Sequence, residues 1–334
     1  MKPTFTQRIL NWLKRALLWT IVFVIVLATI GTIYQTAATE ADQKDFPAPG
    51  NLIDVGGFKM HIQCMGVGSP TVILDALSGG FSSYWAWIQP EVAMQTRVCA
   101  FDRAGFGWSE LDTEPESSER AARNLHALLA NAGIAGPYIL VGHSKGGLYV
   151  RQYAEMYPQE VAGLVLLDSS HPEQFQLHPD WLAGDTSMLK WMPLVKTLMR
   201  MGVGHVYFAF GGEVDFKDLP SRQHDEIASA WSSVRYWQSQ ETGMLLGADI
   251  FQEVNGLGSL GDMPLIVVSR GEDISDGWGD LQNELAALST NSTHIIVEGS
   301  THASLIFNPE HAHIVSQAIV QIVNAVQAGE QLNP

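Results

Sequence analysis

The stretch Gly142-His143-Ser144-Lys145-Gly146 follows the apolar run Tyr138–Val141 and opens directly into a helical pattern from Gly147 to Tyr157, stopped by Pro158. Strand, tight turn and helix in immediate succession leave few architectures open. The glycines let neighbouring backbone approach the turn. The central serine is then held at the carboxyl end of a strand with its hydroxyl at a helix N-terminus. The pentapeptide alone has little weight, since Gly and Ser are common, and its bland reading is a Gly-rich turn. In this context it marks Ser144 as a candidate nucleophile.

A serine hydroxyl is a poor nucleophile until a base takes its proton and an acid orients that base. Open α/β sheets place their sites beyond the carboxyl ends of the strands, so the partners are sought there. Beyond Leu265–Val268 comes Ser269-Arg270-Gly271-Glu272-Asp273, and beyond His294–Val297 comes Glu298-Gly299-Ser300-Thr301-His302. Asp273 is the expected acid and His302 the expected base, in the chain order nucleophile, acid, histidine. Asp168 ends the strand Val161–Leu167 and is the alternative acid. His294 opens its strand, His311 and His313 lie on the last helix, and packing explains His143. A tetrahedral oxyanion needs preorganised N–H donors. The backbone amide of Lys145 is expected to be one. Ser78 or Leu77, in the loop Ala76-Leu77-Ser78-Gly79-Gly80 after Thr71–Asp75, is expected to be the other. The Lys145 side chain is read as packing or pairing at the surface.

Strand runs alternate with helical runs along most of the chain, which implies a mostly parallel sheet covered on both faces. Residues 51–168 and 261–326 form this α/β core, and 327–334 are a tail. Residues 169–260 break the alternation: no strand run is evident, and Trp181, Met188, Trp191, Met192, Met199, Met201, Trp231, Trp237 and Met244 recur. Some ninety residues exceed what a structureless loop holds, so the segment is read as a helical cap. Trp and Met at such spacing usually pack a core, but the underside of a cap is also where an apolar substrate sits.

Ala16–Ile33 runs 18 residues without a charge, long enough for a transmembrane helix. Lys14 and Arg15 precede it and Glu40, Asp42 and Asp45 follow it, so the N-terminus is expected in the cytoplasm and the body outside. The domain reading is a cytoplasmic stub and membrane anchor over residues 1–35 and a linker over 36–50. A cleaved signal peptide is the alternative, with Thr36-Ala37-Ala38 as the small-residue site. Past Glu40 the body carries 15 basic and 35 acidic residues, a balance of −20. Nucleic-acid binding needs a basic footprint, and this body is its opposite. The two cysteines, Cys64 and Cys99, allow either one disulfide or two buried thiols, and no Cys/His spacing suits zinc.

Asp102-Arg103-Ala104-Gly105-Phe106-Gly107-Trp108-Ser109 resembles the D-R-x-G-x-G-x-S segment of the α/β-hydrolase superfamily, in the branch of proline iminopeptidases, epoxide hydrolases and bacterial esterases. With the serine turn and Gly-Ser-Thr-His302, the resemblance covers roughly Leu52–Asp168 and Gly261–Val326. It implies an eight-stranded sheet with its second strand antiparallel and a helical cap after strand six. It also makes strands two and four neighbours with Cys64 and Cys99 on them, which puts a disulfide on an equal footing with two buried thiols. Two departures stand out. The usual His-Gly of the oxyanion loop is Ala76-Leu77 here, and Ser144 replaces the aspartate nucleophile of epoxide hydrolases and dehalogenases. The expected activity is hydrolysis of a carboxylic ester with an apolar acyl or aryl group, without cofactor or metal. The alternatives are an aminopeptidase, an amidase or a C–C hydrolase using the same triad, and, less favoured, a non-enzymatic surface protein. An aminopeptidase needs cap carboxylates for the substrate amine, and Glu173, Glu213, Asp215 and Glu226 are available.

Overall fold

The computed structural model describes residues 4–214, 216 and 218–332. Asp215, one of the cap carboxylates considered above, lies outside them. The chain opens with helix α1 (Phe5–Asp45), followed by strands β1 (Asn51–Asp54), β2 (Lys59–Met65) and β3 (Thr71–Asp75). Then come α2 (Ile88–Val92), β4 (Val98–Phe101), α3 (Ser118–Asn131), β5 (Tyr138–His143), α4 (Gly146–Met156) and β6 (Val161–Leu167). Seven helices follow without a described strand among them: α5 (Gln174–Leu177), α6 (Pro179–Leu189), α7 (Met192–Arg200), α8 (Val203–Ala209), α9 (Ser221–Ser232), α10 (Val234–Leu245) and α11 (Gly247–Asn255). The core resumes with β7 (Leu265–Arg270), α12 (Trp278–Ala286), β8 (Ser292–Val297), α13 (Ser304–Phe307) and α14 (Pro309–Ala328).

The eight strands lie in the order β1-β2-β4-β3-β5-β6-β7-β8. Strand β2 runs antiparallel to both its neighbours, and the pairs from β4 onward are parallel. Central strands β3, β5 and β7 are buried along their whole length, as strands covered on both faces must be. One face packs Leu125, Leu128 and Leu129 of α3 and Val150 and Tyr153 of α4 against Ile73, Leu140 and Val267. The other packs Ile88 and Val92 of α2 and Val315, Ile319 and Ile322 of α14 against Val72, Val141 and Val165. Each such fully buried aliphatic side chain contributes about 1.5–3 kcal/mol.

Two expectations about the chain's edges are sharpened. Cys64 and Cys99 face each other across the β2–β4 pair and are joined in a disulfide. The expected linker 36–50 is helical as far as Asp45, and only the five residues before β1 leave the helix. No Gly or Pro interrupts 36–45, whereas Pro47 and Pro49 follow, and proline cannot continue a helix. Tertiary contacts hold the extension: Gln35 Nε2 donates to Ser232 O at 3.1 Å, and Ser229 Oγ donates to Asp42 Oδ2 at 2.7 Å.

Candidate active site

Ser144 follows β5 directly and has φ 55°. A left-handed conformation costs a non-glycine residue about 1–3 kcal/mol, so the surroundings must enforce it. Its N–H donates to Leu167 O on β6 at 3.1 Å, and its carbonyl accepts from Gly147 N and Ser170 N, each at 3.0 Å. The flanking glycines are required by space. A Cβ on Gly142 would stand 2.6 Å from the Gly146 backbone, and a Cβ on Gly146 would stand 2.5 Å from the carbonyl oxygen of Asp75. The serine turn is thereby wedged between β3 and its own helix. Ser144 is only half-buried, and its hydroxyl makes no hydrogen bond among the described residues.

His302 lies in the loop after β8, and the elements around it fix that loop. Ser300 is buried; its hydroxyl donates to Val297 O at 2.6 Å, and its carbonyl accepts from Gly271 N and Glu272 N at 3.1 and 2.8 Å. His143, next to Ser144, places its ring centroid 4.6 Å from that of His302 and donates from Nε2 to the His302 carbonyl at 3.1 Å. Burial, then the neighbouring charge of His302, pull the His143 pKa well below its ordinary value. His143 is thus held neutral.

His302 meets the alternative acid rather than the expected one. Asp168 Oδ2 accepts from His302 Nδ1 at 2.5 Å, whereas Asp273 is exposed and has no hydrogen bond or ion pair with His302 among the described residues. Asp168 is fully buried and receives two further side-chain donors, Arg270 Nη1 at 2.8 Å and Trp278 Nε1 at 2.9 Å. Burial by itself raises its pKa, but the His302 hydrogen bond, the charges of His302 and Arg270 and the Trp278 bond outweigh burial and lower it. The carboxylate stays ionised and acceptor-only, so the His302 proton sits on Nδ1 and leaves Nε2 free as a base. Both aspartates follow strand ends at positive φ, 39° for Asp168 and 54° for Asp273. What separates them is the partners: Arg270, at the end of β7, turns to Asp168 and commits that carboxylate to the interior, while Asp273 turns to solvent. Arg270 and Trp278 carry no motif and were missed. The signal for Arg270 was an arginine ending a buried strand, a place that demands a carboxylate.

The loop after β3, where the oxyanion donors are expected, is held by Arg103 of the D-R-x-G-x-G-x-S segment. Arg103 bonds the Asp75 carboxylate and donates to Ala76 O and Leu77 O, each at 2.6 Å. With both carbonyls drawn to the guanidinium, the amides of Leu77 and Ser78 are left without a backbone acceptor among the described residues, as is that of Lys145. Asp102 anchors the next turn by accepting from Ser82 N and Trp108 N, each at 2.8 Å. The cap closes over the loop: a Cβ on Gly79 would stand 2.1 Å from Gln240 Nε2 of α10. The Lys145 side chain is buried rather than at the surface, bonding Gly243 O of α10 at 3.2 Å. Burial pulls its ammonium below the ordinary value, opposed by Glu116 at 4.0 Å. Among the cap carboxylates, Glu226 is taken up by Ser83 Oγ at 2.7 Å and by Arg222 at 3.0 Å. No group of three or more His, Cys, Asp or Glu residues able to hold a metal occurs among the described residues.

Comparison with known proteins agrees with this architecture. Residues 70–200 match the family model of the alpha/beta hydrolase fold. The chain resembles an uncharacterised protein of Schizosaccharomyces pombe, 27% identical over 259 residues, covering 76% of this chain and 46% of that relative. It therefore spans less than half the length of that curated relative. Among solved structures it superposes on a thermophilic esterase from Thermogutta terrifontis with a TM-score of 0.60 at 21% identity, covering 82% of this chain and 97% of the other. It superposes on an epoxide hydrolase, CorEH, with a TM-score of 0.62 at 20% identity, covering 83% and 98%. The chain shares the fold of the α/β-hydrolases.

Proposed function

We propose that the protein is a serine hydrolase that cleaves carboxylic esters through an acyl-enzyme, with Ser144, His302 and Asp168 as its triad. The observation that carries this is the bond from His302 Nδ1 to the buried Asp168 carboxylate beside a serine held at φ 55°. Ser144 Oγ attacks the acyl carbon while His302 Nε2 takes its proton. The amides of Lys145 and of Leu77 or Ser78 hold the oxyanion. Collapse expels the alcohol, which receives the proton from His302. Water, deprotonated by His302, then releases the acid and restores Ser144. Phe216, Trp231 and Trp237 of the cap join the apolar cluster that includes Leu77 and Ala303, which favours an apolar acyl or aryl group.

The same reading makes α1 a membrane anchor with the catalytic body outside the cytoplasm. None of its span is buried by the rest of the chain, Lys14 and Arg15 flank its start, and a disulfide suits an oxidising compartment. The test is a panel of p-nitrophenyl esters set beside amino-acid anilides. The expected result is turnover of esters of apolar acids, abolished in Ser144→Ala. Anilide turnover without ester turnover would move the reading to amide bonds.

A further inference from the structure

The apolar run Ala16–Ile33 measures about 27 Å at about 1.5 Å per residue, close to a hydrocarbon core of about 30 Å. Gly31 and Tyr34 therefore stand at the membrane boundary on the side of the catalytic body. The turn between α7 and α8 lies against them. A Cβ on Gly31 would stand 2.5 Å from Met201 O, and a Cβ on Gly202 would stand 2.5 Å from the Tyr34 ring. One turn and more above, His205 bridges Gln35 Oε1 at 3.0 Å and Asp42 Oδ2 at 2.9 Å. The cap is thus fixed in height along α1, with its α7–α8 turn at the level where α1 emerges.

The face that α8 turns outward is apolar. Val203, Val206, Tyr207 and Phe210 recur at the spacing of one helical face and are exposed, Phe210 to 88%. On the preceding helix, Trp191 at the start of α7 and Leu194 within it are 60% and 49% exposed. A helix in water buries such a stripe, and here the opposite face, with Gly204 and His205, is the one already packed. Charge adds an independent observation. Residues 188–212 contain Lys190, Lys196 and Arg200 and no acidic residue, in a body whose balance is −20. Lys196 is paired with Glu241, while Lys190 and Arg200 are exposed. Apolar side chains, aromatics and exposed cations at bilayer height match a lipid headgroup layer.

We propose that the α7–α8 face of the cap rests in the headgroup layer of the same bilayer, with Trp191, Tyr207 and Phe210 inserted and Lys190 and Arg200 against anionic lipid phosphates. The proposal rests on the reading of α1 as an anchor. The disulfide leaves no free thiol, so single cysteines can be labelled in the full chain. Phe23→Cys in the span, Phe210→Cys on the cap face and Met94→Cys at the amino-terminal edge of the sheet each take an environment-sensitive fluorophore. The proteins are reconstituted in phosphatidylcholine vesicles with and without phosphatidylglycerol, carrying a deep doxyl-lipid quencher for position 23 and a shallow one for positions 210 and 94. The expected result is quenching at positions 23 and 210 and none at 94. Charge reversal by Lys190→Glu with Arg200→Glu should reduce quenching at 210 in the anionic vesicles by about twofold or more. Quenching at 23 with position 210 behaving like 94 overturns the docked face while keeping the anchor. No quenching at 23 overturns the anchor and the proposal with it. A blue shift at 210 that grows with protein density but escapes the quencher assigns the face to a second copy and overturns the lipid contact.

Discussion

Replacing Asp168 with Asn separates the two candidate acids most sharply. The carboxylate accepts from His302 Nδ1, Arg270 and Trp278. An amide of the same shape can turn only one acceptor oxygen to these three donors, and it no longer holds the His302 proton on Nδ1. Loss of the matching carboxylate in a serine protease triad costs about four decades in kcat, or about 5.5 kcal/mol at about 1.36 kcal/mol per decade. A similar fall is expected here for p-nitrophenyl ester hydrolysis, with little change in KM. The substitution also strips Arg270 of its buried counter-ion, and breaking such a pair costs about 3–5 kcal/mol of stability. Kinetics are therefore measured on protein shown to be folded by circular dichroism, well below its melting temperature. Asp273→Asn is the control: its side chain is exposed and unattached to His302, so its kcat should stay within about threefold of wild type. Equal losses in the two variants, or a loss confined to Asp273→Asn, would refute the assignment.

Arg103→Lys should lower kcat by about 10- to 100-fold with KM little changed, because one ammonium cannot serve Asp75, Ala76 O and Leu77 O together and the oxyanion amides lose their setting; steady-state kinetics reads this. Cys64→Ala with Cys99→Ala should destabilise the fold by about 3–4 kcal/mol for a 35-residue separation, measured by denaturant titration of the purified full chain in detergent. Acid should weaken the fold before the carboxylates titrate. Burial holds His143 well below its ordinary value and His171 at about 4, so the unfolded chain binds more protons than the folded one below about pH 6.5. Stability is full above that pH and falls as pH drops towards 4; a melting temperature flat from pH 7 to about 4.5 would contradict the two buried neutral histidines. The Asp168 contribution, from a lowered carboxyl pKa, is present above about pH 4 and is lost only on further acidification.

The parts of this site that were legible in the sequence share one property: they are local. Ser144 is announced by its own strand, turn and helix, and His302 by the strand that precedes it. The acid was not local. Asp168 and Asp273 follow adjacent strands and share the same strained backbone, and choosing between them needs the side-chain directions of Arg270 and Trp278, which no periodicity encodes. The helical stretch 36–45 was read as linker because it is polar. Its order comes from Gln35 and Asp42 meeting His205, Ser229 and Ser232 more than 160 residues away. Arg103 was visible as part of a motif, but its role depends on which carbonyls its guanidinium reaches, and that is a property of the folded β3–β4 edge.

The central claim is that Ser144 carries the acyl group. It is tested most directly by incubating the purified full-length protein with a fluorophosphonate and locating the adduct by peptide mass spectrometry. One adduct is expected, on the peptide containing Gly142-His143-Ser144-Lys145-Gly146, absent in Ser144→Ala and strongly slowed in Asp168→Asn. A folded wild-type protein that takes no adduct, or takes it at another serine, would contradict it.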